Sequence, residues 1–374
     1  MAPDRKDGEQ DGAGQAGLRV GLVLGAGGVQ GGAWLTGALQ ALASGTGWDP
    51  ASAEYVVGTS AGSMIAALLV SGVPPWFMVA HSAGERFEGL TDAQGRPAAS
   101  ADRSAGAVFR LHRGIPRPGP GSWGLMASAL TQPSRRSLSG VACGALPVGL
   151  VSTEPLKETV RRVASARWPS SPHLWIVACD YANGRRTVFG RPDAPPAELA
   201  DAVAASCAIP GFYRPVDIAG RRYVDGGLWS TSNLDVLGRE EPDVVICLNP
   251  TSTLHPARAW SMGDRLAEAM RSNAGRMLGR EARRLRQSGI PVVIVQPTRE
   301  DLAVMGPNLM SRRNRHQVIE TAMRTVAEQL DDPVHAEVLA RLPPGAPEKI
   351  RRPAGPPTGW PAQLGGPWGR AALT

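Results

Sequence analysis

Residues Tyr55-Val-Val-Gly-Thr-Ser-Ala-Gly62 indicate the fold more directly than any other stretch of the sequence. The apolar run Tyr55–Val57 predicts a buried β-strand, and the Ala-, Leu- and Ile-rich run Ala61–Ser71 predicts a buried α-helix. Ser60 lies on the tight turn between them, where a serine hydroxyl is held out to attack a carbonyl carbon. A glycine stands on each side of the turn because side chains would be crowded there. This stretch therefore predicts a strand–turn–helix unit that carries a nucleophilic serine.

A glycine cluster, Gly25-Ala-Gly-Gly-Val-Gln-Gly-Gly32, follows the predicted strand Arg19–Leu24 and precedes a helical pattern over Ala33–Ala43. Three interpretations compete: an oxyanion hole made of backbone N–H groups, a phosphate cradle of the dinucleotide-binding type, and a flexible turn. The spacing GxGxxG fails because Gln30 occupies a glycine position. The acidic residue expected after the second strand is also missing, since Glu54 precedes that strand.

Further along, Tyr223-Val-Asp-Gly-Gly-Leu228 predicts a strand that ends at Asp225 in a double-glycine turn. Alone, this pattern is typical of an ordinary turn. Of the six histidines, only His255, His316 and His335 follow the aspartate, and each lies in a polar or charged stretch expected at the surface. The carboxylate must then serve directly as the base for the serine, which requires partial burial to raise its pKa.

The composition is that of a globular protein, with 43% hydrophobic and 20% charged residues. Its net charge of +7 favours anionic partners. The basic residues cluster at Arg280–Arg286 and Arg312–His316 without interleaved aromatics, so we expect no nucleic acid and at most peripheral contact with an anionic membrane. The four cysteines are widely spaced, which is typical of a reducing compartment and not of a metal site.

Strands alternate with helices along the chain, which predicts a mostly parallel sheet covered on both faces. We expect a disordered leader (1–17), a folded domain (18–342) with an irregular cap or lid near 85–150, and a disordered Pro/Gly/Arg-rich tail (343–374). No signal peptide or run of ~20 apolar residues is present, so the sequence predicts a cytoplasmic protein. It specifies no oligomeric state.

The glycine cluster, the Ser60 turn and the Asp225 turn, in this order, resemble the motifs of the patatin-like phospholipase family. The stretches Trp175-Ile-Val-Ala-Cys-Asp180, Asn183-Gly184 and Ser206-Cys-Ala-Ile-Pro-Gly-Phe212 agree as well, and the resemblance covers roughly residues 18–250. It departs from the family where Ala26 replaces a glycine, where Gln30 stands near the position of a basic residue, and where the family's Asn-x-Pro appears only as Asn233-Leu-Asp235.

The resemblance implies a patatin-like three-layer α/β/α sandwich and a lipid acyl hydrolase of phospholipase A or lysophospholipase type. Ser60 would be the nucleophile, Asp225 the general base, and Gly27 and Gly28 the oxyanion donors, with no cofactor and no metal. The supporting motif glycines are Gly25, Gly31, Gly58, Gly62, Gly226 and Gly227.

Other functions remain open on the same residues. A non-catalytic lipid-binding or regulatory module would keep the fold without turnover. A transacylase would use the same serine and pass the acyl group to an alcohol. A nucleotide-binding oxidoreductase would use the glycine loop, although Gln30 speaks against it.

Overall fold

The computed structural model describes the fold for seven stretches of the chain. They are residues 17–85, 108–112, 119–131, 137–164, 168–169, 172–253 and 262–353. The predicted leader before residue 17, much of the predicted cap, the tail beyond 353 and His255 lie outside the described residues.

One eight-stranded sheet organises the described residues. Its strands are β1 (Val20–Leu24), β2 (Tyr55–Thr59), β3 (His173–Asp180), β4 (Arg186–Phe189), β5 (Val216–Ile218), β6 (Arg221–Asp225), β7 (Val244–Leu248) and β8 (Val292–Val295). The strands pair in the succession β5-β6-β3-β2-β1-β7-β8; β2 and β6 pair with consecutive parts of the same side of β3, and β4 pairs along its other side. The five strands β3, β2, β1, β7 and β8 pair in parallel with their neighbours, whereas β4, β5 and β6 join by antiparallel pairing.

Helices cover both faces of this sheet. They are α1 (Gly28–Thr46), α2 (Ala61–Val70), α3 (Pro75–Ala83), α4 (Trp123–Thr131), α5 (Ser137–Ala145), α6 (Glu154–Val163), α7 (Leu199–Ser206), α8 (Met262–Gln287), α9 (Arg299–Met305), α10 (Arg315–Leu330), α11 (Pro333–Leu339) and α12 (Pro347–Ile350).

Alternate residues of each central strand point to opposite faces of the sheet. Leu22 and Leu24 of β1 lie in a large core that includes α1, α2, α7 and α10, whereas Val23 lies in a second core with α8. The predicted three-layer α/β/α fold with a mostly parallel sheet is therefore confirmed.

The folded region extends beyond the predicted boundary at 342. The Trp76 indole donates a hydrogen bond to the carbonyl of Glu348 (2.9 Å), and Gln40 donates one to that of Ile350 (3.3 Å). Ile350 itself is buried. The predicted start of the tail at 343 is thus too early, because residues 345–350 pack on α1 and α3 despite Pro347.

Within the predicted cap, the described residues form the helical pair α4 and α5, which pack against each other. Leu125 of α4 is buried against Tyr181 and Val224, beside the end of β6. Among the described helices, none alone is long and apolar enough to span a membrane; α2 and α3, which meet at a 117° bend, satisfy length and composition only as a pair.

Candidate active site

Ser60 lies between β2 and α2 in a conformation that side chains rarely adopt. Its φ is 52° and its ψ is −121°, and only 4% of the residue is exposed. Such strain costs on the order of 1–3 kcal/mol and persists only where neighbouring groups hold the backbone. Here the Ser60 amide donates to the Ser206 hydroxyl (2.9 Å), and the Ser63 amide and hydroxyl both donate to the Ser60 carbonyl (2.8 and 2.6 Å).

The first glycine of the serine motif is required by close backbone packing. A Cβ at Gly58 would lie 2.5 Å from the Cα of Ser63, closer than real Cβ atoms approach. The first turn of α2 therefore folds directly back over β2. This packing fixes the position of Ser60 at the carboxyl end of the central strands, where parallel sheets carry their binding sites.

Strand pairing brings Asp225 to the same place. Thr59 of β2 pairs with Val177 of β3, and Asp225 of β6 pairs with the next residue, Ala178. Because β4 also pairs with Val177 and Ala178, it must occupy the other side of β3. The ends of β2 and β6 therefore meet on one side of β3, and residues 165 positions apart in sequence become neighbours.

The Asp225 carboxyl group is buried, with 6% of the residue exposed. It accepts a hydrogen bond from the Gly227 amide (2.7 Å), and the Ser60 side chain lies near enough to stabilise its ionised form. Burial raises the pKa of Asp225 to about 6, although the nearby Ser60 side chain and the Gly227 amide act in the opposite direction. A carboxyl group with this pKa is ionised at neutral pH yet basic enough to accept a proton.

The turn after the aspartate also depends on glycine. A Cβ at Gly226 would overlap the carbonyl oxygen of Val177 on β3. A Cβ at Gly227 would lie 3.0 Å from the carboxyl Oδ1 of Asp225 and 3.7 Å from the Cβ of Ala26. The double glycine therefore lets the carboxyl group lie between the sheet and the glycine cluster.

The glycine cluster joins β1 to α1 with its amides partly unused. The Gly25 amide donates to Leu248, the Ala26 amide to Thr231 and the Gln30 amide to Leu309. In the part of the chain that the structure describes, the amides of Gly27 and Gly28 have no such acceptor. They lie at the N-terminus of a 19-residue helix, which favours negative charge.

Gln30, which stands near the position of the family's basic residue, serves a structural purpose. It is buried, and its Nε2 donates to the carbonyls of Ser311 (3.0 Å) and Arg313 (2.7 Å). A Cβ at Gly28 would lie 2.9 Å from the Leu309 carbonyl oxygen. The Gln30 side chain thus ties the start of α1 to residues 309–313, which lie against it.

Three histidines of the described ranges make contacts away from the Asp225 carboxyl group. His173 stacks on Tyr55 at the amino ends of β2 and β3, His316 pairs with Glu320, and the His335 ring contacts the Gln329 carbonyl. In the described ranges, Asp225 has no histidine among its hydrogen-bond partners. No three His, Cys, Asp or Glu side chains of the described residues are grouped as metal ligands.

Two residues whose contacts the sequence did not predict support the site. Ser206 accepts from the Ser60 amide and donates to the Val177 carbonyl (2.6 Å). Asn233 donates to the Thr59 hydroxyl (3.1 Å) from a left-handed backbone with φ 51°. Ser206 and Asn233 lie in the stretches Ser206–Phe212 and Asn233–Asp235 of the sequence analysis, but nothing in the sequence indicates which atoms they contact.

A comparison with known protein families gives a match that spans this site. The model described as patatin-like phospholipase matches residues 22–237, more than half of the chain. The matched region begins within β1 and includes the glycine cluster, the Ser60 turn and the Asp225 turn.

Proposed function

The chain belongs to the patatin-like phospholipase family, and on that premise we propose that it hydrolyses lipid acyl esters through a dyad of Ser60 and Asp225. The family supports lipid acyl hydrolase activity in general. The observation that carries the assignment to these residues is the buried serine–aspartate pair, with the pKa of Asp225 near 6.

The reaction has two halves. The Ser60 oxygen attacks the ester carbonyl carbon while the Asp225 carboxylate accepts the hydroxyl proton, and the amides of Gly27 and Gly28 stabilise the tetrahedral oxyanion. The intermediate collapses to an acyl-enzyme, and the alcohol leaves with the proton from Asp225. Asp225 then takes a proton from water, whose oxygen attacks the acyl carbonyl carbon. Collapse of the second intermediate releases the fatty acid and returns the proton to Ser60.

The substrates that we propose are phospholipids or lysophospholipids, from which one acyl chain is removed. Gln30 bonds backbone carbonyls from the position where the family has a basic residue. This contact argues against a positively charged site for a lipid headgroup at the start of α1.

We also propose that the protein works in the cytoplasm and touches an anionic membrane peripherally. The four cysteines are free, and three of them are buried. On α4, Trp123 and Leu130 are 69% and 70% exposed and lie two turns apart on one face, while Leu125 on the opposite face is buried. This apolar face, on a protein with a net charge of +7, suits the interface of an anionic bilayer.

Hydrolysis is tested with a chromogenic short-chain acyl ester and a fluorophosphonate probe. The wild-type protein should turn over the ester and react with the probe, and Ser60→Ala should do neither while keeping its far-UV circular dichroism and Tm. A wild-type protein that neither reacts nor turns over would instead be a non-catalytic lipid-binding module. Adding glycerol as acceptor distinguishes a transacylase, which would form acylglycerol in preference to fatty acid.

Membrane contact is tested by flotation with vesicles of phosphatidylglycerol and phosphatidylcholine. Trp123→Ala with Leu130→Ala should reduce flotation with the anionic vesicles and leave hydrolysis of a soluble ester unchanged. Val334→Ala is the matched control, since Val334 is 73% exposed on α11. Equal flotation of both variants would refute the assigned face.

A further inference from the structure

Glu281 of α8 is a buried acidic residue that the proposed reaction does not use. Only 6% of it is exposed, and none of the cationic side chains in the described ranges forms an ion pair with it. A buried carboxyl group without a cation is costly unless hydrogen-bond donors surround it. Its donors all come from one segment, residues 230–234 (the bridging segment), so the function of Glu281 must be sought there.

Glu281 holds the bridging segment at two points. Its Oε2 accepts hydrogen bonds from the Ser232 hydroxyl (2.7 Å) and the Leu234 amide (2.9 Å), and the Ser230 side chain lies close to the carboxyl group. These contacts lie on both sides of Asn233 in sequence. They fix a backbone that turns through a left-handed residue and would otherwise be free to relax.

The bridging segment in turn contacts both halves of the candidate active site. Asn233 donates to the hydroxyl of Thr59, the residue that precedes the proposed nucleophile (3.1 Å). The Thr231 carbonyl accepts from the amide of Ala26, the residue that precedes the proposed oxyanion glycines (2.7 Å). A shift of this segment would therefore move the Ser60 turn and the glycine cluster together.

From these contacts we infer that Glu281 is a positioning residue, which holds the nucleophile turn and the oxyanion loop in register through residues 230–234. The catalytic part of this inference rests on the proposed function. Glu281 lies outside the family match over residues 22–237, so the match does not assign it a role. Displacements below an ångström suffice to slow a reaction that depends on oriented groups.

Amide hydrogen exchange of the full-length protein tests the positioning without requiring activity. Glu281→Leu replaces the acceptor by an apolar side chain of similar size, and exchange should rise in peptides covering residues 24–31 and 57–63. Glu281→Gln should retain protection, because the Ser232 hydroxyl and the Leu234 amide both donate to the same oxygen, Oε2, and the carbonyl oxygen of an amide can replace it. Leu285→Ala is the control: Leu285 is buried one turn further along α8, outside these hydrogen bonds.

Kinetics on a soluble chromogenic ester give the second readout. Glu281→Leu should lower kcat about tenfold or more with KM within about twofold, Glu281→Gln should restore turnover, and Leu285→Ala should lower Tm only. Asn233→Ala should give the same defect, and the double variant Asn233→Ala with Glu281→Leu should be no slower than the slower single variant, since the two act in one chain of contacts.

Unchanged exchange in both peptides of Glu281→Leu would overturn the inference, and so would kcat losses that multiply in the double variant. A protein without ester turnover but with the expected exchange pattern would refute the proposed function and leave the positioning role intact. These two failures are therefore distinguishable.

Discussion

Gly62 lies directly against Leu24, so that a Cβ at Gly62 would overlap the Leu24 carbonyl oxygen at the end of β1. The turn that carries Ser60 is thus packed on the strand from which the glycine cluster departs. Gly32 of that cluster also faces Ala61, since a Cβ at Gly32 would lie 3.8 Å from the Ala61 Cβ. The turn of the proposed nucleophile and the proposed oxyanion loop therefore share one tightly packed backbone contact.

Gly62→Ala tests this contact. The added methyl group meets fixed backbone, so we expect a loss of stability of about 2 kcal/mol or more and a loss of ester turnover. Gly45→Ala is the control, because Gly45 lies in the last turn of α1 and its added Cβ would meet only Leu330, at 3.9 Å. It should be neutral or slightly stabilising. Urea unfolding measures both; a Gly62→Ala protein as stable as the control would contradict the packing.

Ser206→Ala tests how the strained serine backbone is held. The change leaves the Ser60 amide and the Val177 carbonyl without their hydrogen-bond partner in a buried place, which costs ~1–3 kcal/mol. We expect kcat to fall roughly tenfold with little change in KM. Ser63→Ala is the comparison: the Ser60 carbonyl keeps the Ser63 amide as a donor, so its loss in kcat should be smaller. Equal kcat values for both variants would speak against the role of the Ser206 hydroxyl in holding the Ser60 backbone.

Much of this architecture can be predicted from the sequence because the signals are local. The apolar runs at β1 and β2, the strand that ends at Asp225 (β6) and the turn at Ser60 have recognisable patterns, and the structure has all four. The helix α3 (Pro75–Ala83) was not predicted, since its apolar residues follow a proline pair and give no clear helical period.

Long-range contacts have no such local signal. Glu281 lies 49 positions from Ser232 and carries no motif, so its hydrogen bond depends on how α8 packs on the sheet. The contact between the Ser206 hydroxyl and the Ser60 amide spans 146 positions and likewise depends on how α7 packs on β3 and α2. Residues that position a site are therefore harder to predict than residues that carry its motif.

Gly28→Ala tests the oxyanion loop. Gly28 has φ +60° and its added Cβ would meet the Leu309 carbonyl oxygen at 2.9 Å, so the amide of residue 28 should move and kcat should fall about 100-fold. Gly47→Ala has the same kind of backbone strain, with φ +70°, but no atom within 4 Å of the added Cβ. Both variants should lose about 1 kcal/mol through strain, measured by thermal unfolding. Only Gly28→Ala should lose turnover; equal turnover would place the oxyanion donors elsewhere.

The pH dependence of kcat/KM tests the role of Asp225. As the base it must be ionised, so activity should rise with pH on a limb governed by the pKa of about 6 and become level above it. Asp225→Asn should remove that limb and lower kcat/KM by roughly 100-fold or more at pH 8. A wild-type profile that is flat between pH 5 and pH 8 would exclude this carboxylate as the base.

The stability of Asp225→Asn provides an independent check, because the buried carboxylate should destabilise the folded protein at neutral pH. An unfolded aspartate has a pKa of about 3.9, and Asp225 in the folded protein has a pKa of about 6. Between these values the folded state binds more protons than the unfolded state, so wild-type stability falls as pH rises through this window and is level above it.

The side-chain amide that replaces the carboxylate carries no charge, and its oxygen can still accept from Gly227. Thermal unfolding should therefore show Asp225→Asn to be more stable than wild type at pH 8, by roughly 2–3 kcal/mol at most, with a smaller difference at pH 4.5. A variant that is less stable at pH 8 would mean that the carboxylate is favourably solvated in the fold, and its high pKa would then lose its physical basis.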